Sequence, residues 1–168
     1  MHPALFKQHS PIHGMGVFTR DLIKEGETVM IWGGEVIPRD AYEDIWQQYR
    51  NGTVVQISEE SFLAAPITDS ESLDESLNHS CDPNTWLIDE VTVVARRDIP
   101  AGEEITLDSA TWNDDDSEEY SDEDICTCGS GMCRKKIKAD DWKNSELQKR
   151  YNHHFSPFLQ RRIDAYSK

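Results

Sequence analysis

The sequence predicts a mostly β fold with short helices, built from small sheets and finished by C-terminal helices. Three observations carry this: short runs rich in Val, Ile and Thr punctuated by glycine, one stretch of helical period near residue 45, and a switch to helical spacing in the tail. Strands are expected at 17–19 (VFT), 28–32 (TVMIW) and 34–37 (GEVI), a meander with Gly26 and Gly33 as turn signals. Over 39–50 the period changes: Tyr42, Ile45, Trp46 and Tyr49 fall on one face of an amphipathic helix that ends before Asn51-Gly52, where Trp46 is a core residue. Strands resume at 53–57, 61–65, 86–88, 91–96 and 104–107. The tail reads as one helix over about 140–150 and a second that starts at Ser156-Pro157, a cap and a first-turn proline, and runs to Tyr166.

Length and charge set limits on function. At 168 residues the chain is one domain, and its formal net charge of −15 disfavours nucleic-acid or membrane binding driven by counterion release. A basic partner is the natural counterpart. Residues 1–133 carry 7 basic and 28 acidic side chains, whereas residues 134–168 carry 10 basic and 4 acidic. The bases of the tail lie mostly on its helices and read as a solvated face. The stretch 113–124 (NDDDSEEYSDED) holds eight carboxylates and no base, so it reads as a loop that cannot bury apolar area. No apolar run approaches the roughly 20 residues of a membrane helix, and the start lacks the pattern of an export signal, so the chain is expected to be soluble and intracellular.

Cys126-Thr127-Cys128 and Cys133 place three thiols within eight residues, with Gly129, Ser130 and Gly131 letting the backbone curl between them. Zinc takes four ligands in a closed structural site, and the one remaining cysteine, Cys81, completes an all-thiolate set. In a chain without an export signal, clustered thiols favour metal over disulfides. A small structural zinc protein is therefore one reading of the chain.

The residues around Cys81 carry a second one. The string Asn78-His79-Ser80-Cys81-Asp82-Pro83-Asn84 resembles the central motif of the SET-domain protein-lysine methyltransferases. In the family's order, Gly14-Met15-Gly16 resembles the first motif, Trp32-Gly33-Gly34-Glu35 the second and Gly102-Glu103-Glu104-Ile105-Thr106-Leu107-Asp108 the fourth, while 126–137 (CTCGSGMCRKKI) is similar to the post-SET segment. The resemblance implies a pseudoknotted β fold of small sheets, the β-clip. It implies S-adenosylmethionine (SAM) as methyl donor and a lysine of a basic protein or peptide as acceptor. It further implies that Met15 and Gly16 hold the methionine end of the donor, that Asn78 and His79 hold its adenosine, and that Cys81, Cys126, Cys128 and Cys133 bind zinc. Residues 1–112 then form the SET core, 113–124 an acidic loop beside the substrate cleft, 125–138 the zinc segment and 139–168 a helical tail.

The residues add their own chemistry. Gly16 lets backbone approach a ligand closely, Asn78 offers donors and acceptors to a purine edge, and His79 is either a donor-site residue or a buried core histidine. Two positions depart from the family. Trp32 stands where the second motif has tyrosine, and Ser109 stands where the fourth motif ends in the tyrosine used at the transferring methyl. These are the candidate catalytic positions. Three explanations of Ser109 follow: an inactivating change, a channel filled by another aromatic such as Trp112, Tyr120 or Trp142, or a silent module that binds SAM or lysine peptides without turnover.

Overall fold

The computed structural model describes residues 1–41, 53–65, 73–114 and 125–166. Among these, the strands in chain order are β1 Leu5–His9, β2 Met15–Thr19, β3 Thr28–Ile31, β4 Glu35–Pro38, β5 Thr53–Ser58, β6 Ser61–Ala65, β7 Asn78–His79, β8 Thr85–Leu87, β9 Thr92–Ala95 and β10 Glu104–Leu107. Two helices follow, α1 Ser145–Tyr151 and α2 Pro157–Tyr166.

The strands make three small sheets, ordered β1-β2-β10-β7, β3-β9-β8 and β4-β6-β5. The first positions the site. β1 and β2 form a hairpin with Leu5 opposite Thr19 and His9 opposite Met15. Its turn closes with the Ser10 N–H on the Gly14 carbonyl at 2.9 Å, and Gly14 takes a φ of 45°, which favours glycine. β10 pairs antiparallel with β2 through Glu104 and Ile105. It then pairs parallel with β7, Thr106 beside Asn78 and Leu107 beside His79. This exchange of partner brings the first, central and fourth motifs together.

Alternation puts Val17, Ile105 and Leu107 into a core shared with Ile23, Val29, Met30, Trp32, Leu87, Val93 and Ile99. A second cluster holds the tail: Ala110, Trp142, Leu147, Tyr151, Phe155, Phe158, Leu159 and Ile163. Full burial of each such aliphatic or aromatic side chain contributes about 1.5–3 kcal/mol.

The observed elements differ from the expectations in definite ways. β1 is an addition: its sequence LFKQH lacks a clean alternation, and it forms because the tight turn folds it back onto β2. The helix expected over 39–50 lies outside the described residues beyond residue 41. The helix expected over 140–150 is shorter and later. A 3₁₀ turn, Asp141–Lys143, comes first, and Asn144 in extended conformation then caps α1, its side chain accepting the Glu146 N–H at 2.9 Å. Pro157 does open α2. Ser156, however, caps only with its backbone, its carbonyl accepting the Gln160 N–H and its N–H donating to Thr111, while its buried hydroxyl has no partner among the described residues. Of the acidic stretch, Asn113 and Asp114 are described, and both are buried. Asp114 sits 3.2 Å from Arg162 and 3.8 Å from Arg39, so it is an inward anchor and not part of a solvated loop.

Candidate active site

Met15 and Gly16 begin β2 beyond the point where β10 pairs with it, since that ladder covers Phe18 and Val17. Asn78 reaches across to them. Its Nδ2 donates to the Met15 and His13 carbonyls, each at 3.1 Å, and to Glu104 Oε1 at 2.7 Å. A Cβ on Gly16 would overlap Glu104 Oε1 and stand 2.8 Å from its Cδ. Glycine at 16 therefore makes room for a carboxylate of the protein itself, a requirement absent from the reading of Gly16 as a ligand approach.

His79 and Ser109 lie at the C-terminal end of the same sheet. Ser109 is 3% exposed. Its N–H donates to His79 Nδ1 at 3.2 Å, and its hydroxyl lies 3.1 Å from the same nitrogen. Nδ1 is therefore the acceptor and Nε2 carries the proton, directed at Cys81 Sγ 3.3 Å away. Burial pulls the imidazole down to about 4, against the opposing pull of Asp108, so the ring is neutral at neutral pH. His79 thus bridges the position that departs from the tyrosine pattern and the thiol cluster.

The four Sγ atoms of Cys81, Cys126, Cys128 and Cys133 lie within 4.8 Å of one another. A tetrahedral zinc with Zn–S bonds of about 2.3 Å needs sulfurs about 3.8 Å apart. Cys81 and Cys126 are 3.8 Å apart. The donor set therefore fits zinc. The Arg134 N–H points at the Cys81 sulfur and the Lys135 N–H at that of Cys133, at 3.3 and 3.4 Å, as thiolate acceptors require. Burial pushes the Cys81 thiol well up. It raises Cys128 as well, but backbone N–H groups and the neighbouring thiols bring that group down to about 7.

Trp32 is buried and meets Trp112 edge-on, centroids 5.8 Å apart at 63°. Trp112 is thus the described aromatic that joins Trp32. Trp142 is buried in the tail cluster instead, 6.0 Å from the Tyr166 ring, and Tyr120 lies outside the described residues.

A charged knot escaped the sequence reading. Asp108, fully buried, accepts both terminal nitrogens of Arg134 at 2.6 and 2.7 Å and the Tyr151 hydroxyl at 2.7 Å. Arg134 also donates through Nε to Asp141 at 3.0 Å. Burial alone would raise the Asp108 carboxyl, but Arg134 above all holds it below the usual aspartate range. Its members lie 26 and 43 residues from Asp108, so no local spacing betrays them. The available signal was an arginine directly after the last cysteine.

A family model described as the SET domain matches residues 14–108, ending one residue before Ser109. Among curated relatives, the histone-lysine N-methyltransferase, H3 lysine-4 specific, of Mycosarcoma maydis is 31% identical over 136 residues, 75% of this chain and 9% of that protein. The histone-lysine N-methyltransferase ASHH3 of Arabidopsis thaliana is 29% identical over 140 residues, 74% of this chain and 35% of that one. A crystal structure of an active polycomb repressive complex 2 in the basal state contains a similar chain, with TM-score 0.50 and 26% identity over 62% of this chain and 15% of that one. The chain thus spans well under half the length of these curated relatives.

Proposed function

The chain belongs to the SET domain family, and from that premise we propose that it transfers a methyl group from SAM to a lysine of a basic protein, with histones the first candidates because both relatives' names specify them. The observation that carries this reading is the exchange of partner along β10, which sets Met15 and Gly16, Asn78 and His79, and Ser109 around one short strand.

When bound, the donor would supply an electrophilic sulfonium methyl for in-line transfer to the lone pair of a neutral lysine nitrogen. The protein's part is alignment, the main source of rate in an in-line displacement. In this reading the backbone of Met15 and Gly16 and the Asn78 carboxamide hold the donor. Trp32 and Trp112 give the acceptor an apolar aromatic wall that favours the neutral amine over the ammonium and attracts the sulfonium charge. Cys81, Cys126, Cys128 and Cys133 would hold a structural zinc that fixes the 125–138 segment against β7.

Ser109 supports a second reading, a silent module that binds SAM or lysine peptides, because its buried hydroxyl already faces His79. The test is methyl transfer from labelled SAM to a lysine-rich protein mixture, with Ser109→Tyr alongside. Transfer by the native sequence is the expected result and eliminates the silent module. No transfer by either protein, with SAM still bound, overturns the assignment of position 109.

A further inference from the structure

Glu104 is the first residue of β10: it stands opposite Phe18 in the ladder, and its carbonyl accepts from Asn84 Nδ2 at 2.7 Å. Its side chain has a separate task. Oε2 accepts the Ser10 hydroxyl at 2.8 Å, and Oε1 accepts Asn78 Nδ2 at 2.7 Å. Ser10 Oγ in turn accepts the Ile12 N–H at 2.8 Å and the His13 N–H at 3.4 Å. One carboxylate therefore joins the 10–16 turn, β10 and β7.

The carboxamide of Asn78 is oriented by this arrangement. Three acceptors surround Nδ2: the Glu104 carboxylate and the His13 and Met15 carbonyls. An amide nitrogen has two hydrogens to give, so its donor capacity is spent within the protein. The group left for a ligand is the side-chain carbonyl. Gly16 is part of the same device, because a methyl there would displace the carboxylate that orients Asn78.

We propose that Glu104 is a positioning residue of the donor site: seated against Gly16, its carboxylate holds the 10–16 turn and turns Asn78 so that it meets the donor as a hydrogen-bond acceptor. The inference rests on the reading of Met15, Gly16 and Asn78 as the donor site. It assigns Gly16 a second duty besides ligand approach, and it makes residues 16 and 104 energetically one unit.

The test uses the full chain and S-adenosylhomocysteine, which binds without turnover, measured by calorimetry. Glu104→Ala should weaken binding about tenfold or more, the usual consequence of losing a charge-assisted hydrogen bond that orders a site. Glu104→Gln should recover much of the loss, since its amide oxygen still accepts from Asn78. Gly16→Ala should weaken binding comparably, and the double variant should bind no more weakly than the worse single one. In ligand-free protein, hydrogen exchange at the Ile12 and His13 amides should quicken in Glu104→Ala and stay near wild type in Glu104→Gln. Equal affinity of wild type and Glu104→Ala, or full additivity of the two single variants, overturns the proposal. Failure of the wild type to bind S-adenosylhomocysteine overturns the donor-site reading instead, while unchanged exchange at Ile12 and His13 in Glu104→Ala shows that the carboxylate does not hold the turn.

Discussion

The described residues up to Asp114 and residues 125–166 meet at Asp108 and are held by different means. The first region is joined by ladders: three sheets share one apolar core, and strands far apart in sequence, such as β2 and β10, pair directly. The second region has its own apolar cluster, and its attachment to the sheets runs largely through side chains. These are the thiol cluster, the Asp108–Arg134–Tyr151 knot, the Arg150 bond to the Cys81 carbonyl at 2.8 Å, and Arg162 between Glu59 and Asp114. The Trp86 ring stacks on His154 with centroids 3.5 Å apart, and that histidine bonds the Leu87 carbonyl at 2.8 Å. The tail's excess of bases is therefore only partly a solvated face, since Arg134 and Arg162 pair with buried Asp108 and Asp114 and Arg150 bonds the Cys81 carbonyl. A region docked by ion pairs and a thiol cluster that fits zinc should answer to metal, pH and salt more than one docked by strand pairing.

The sharpest division between the two regions should come from metal removal. Structural zinc contributes about 10–16 kcal/mol in isolated zinc-binding peptides, so chelation of the zinc-loaded protein should free residues 125–166 while β1, β2 and β10 keep their amide protection. Hydrogen exchange before and after chelation, with metal content measured, checks this; equal loss of protection in both regions would erase the distinction.

Next in size is the charged knot. Arg134→Ala leaves Asp108 buried without its main partner and should cost about 3–5 kcal/mol, read from denaturant unfolding. Asp108→Asn combined with Arg134→Met should cost less than the two single changes together, because the pair is removed as a unit.

The same knot predicts an acid limb. The folded carboxyl of Asp108 titrates below its unfolded value of about 3.9. Its contribution is therefore fully present above that unfolded value and is lost as pH falls through the lower folded one. Urea midpoints taken from pH 7 downward should show a shallower fall in Asp108→Asn than in wild type, and parallel profiles would remove Asp108 from the acid response.

The smallest effect is expected at the helix end. Arg162 is partly exposed, and replacing it with alanine should cost about 1 kcal/mol or less, diminishing with salt. A loss as large as that of Arg134→Ala would show that buried Asp114, and not the apolar cluster, holds α2 in place.

What could be read from the sequence follows the range over which each signal acts. The strand run 104–107 fell where alternation and β-branched residues placed it, and the closure of the thiol set on Cys81 followed from count alone. β1 was missed because its partner supplies the order that its own composition lacks. The late start of α1 depends on Asn144, one cap residue that competes with a continuous apolar period. Ser156 has the right residue type for a side-chain cap and does not act as one, because its N–H is drawn to Thr111. At the site, the motif strings named the residues, Glu104 among those of the fourth motif, but gave its side chain no role of its own. Its meaning depends on Gly16 and Asn78, 88 and 26 residues away, and only the folded sheet brings those positions together.

The four residues of β10 carry one further consequence. Ile105 and Leu107 face the apolar core, while Thr106 is tied to Asn84 and Glu104 to the 10–16 turn. Loss or gain of a single residue here would exchange those faces, turning Glu104 and Thr106 toward the core and releasing both the β2 and β7 pairings together. A hairpin turn tolerates change better, since lengthening a loop costs only about 0.6 kcal/mol per doubling. Among the chain's relatives, insertions and deletions should therefore gather in hairpin turns and be absent from the strand between Gly102 and Asp108.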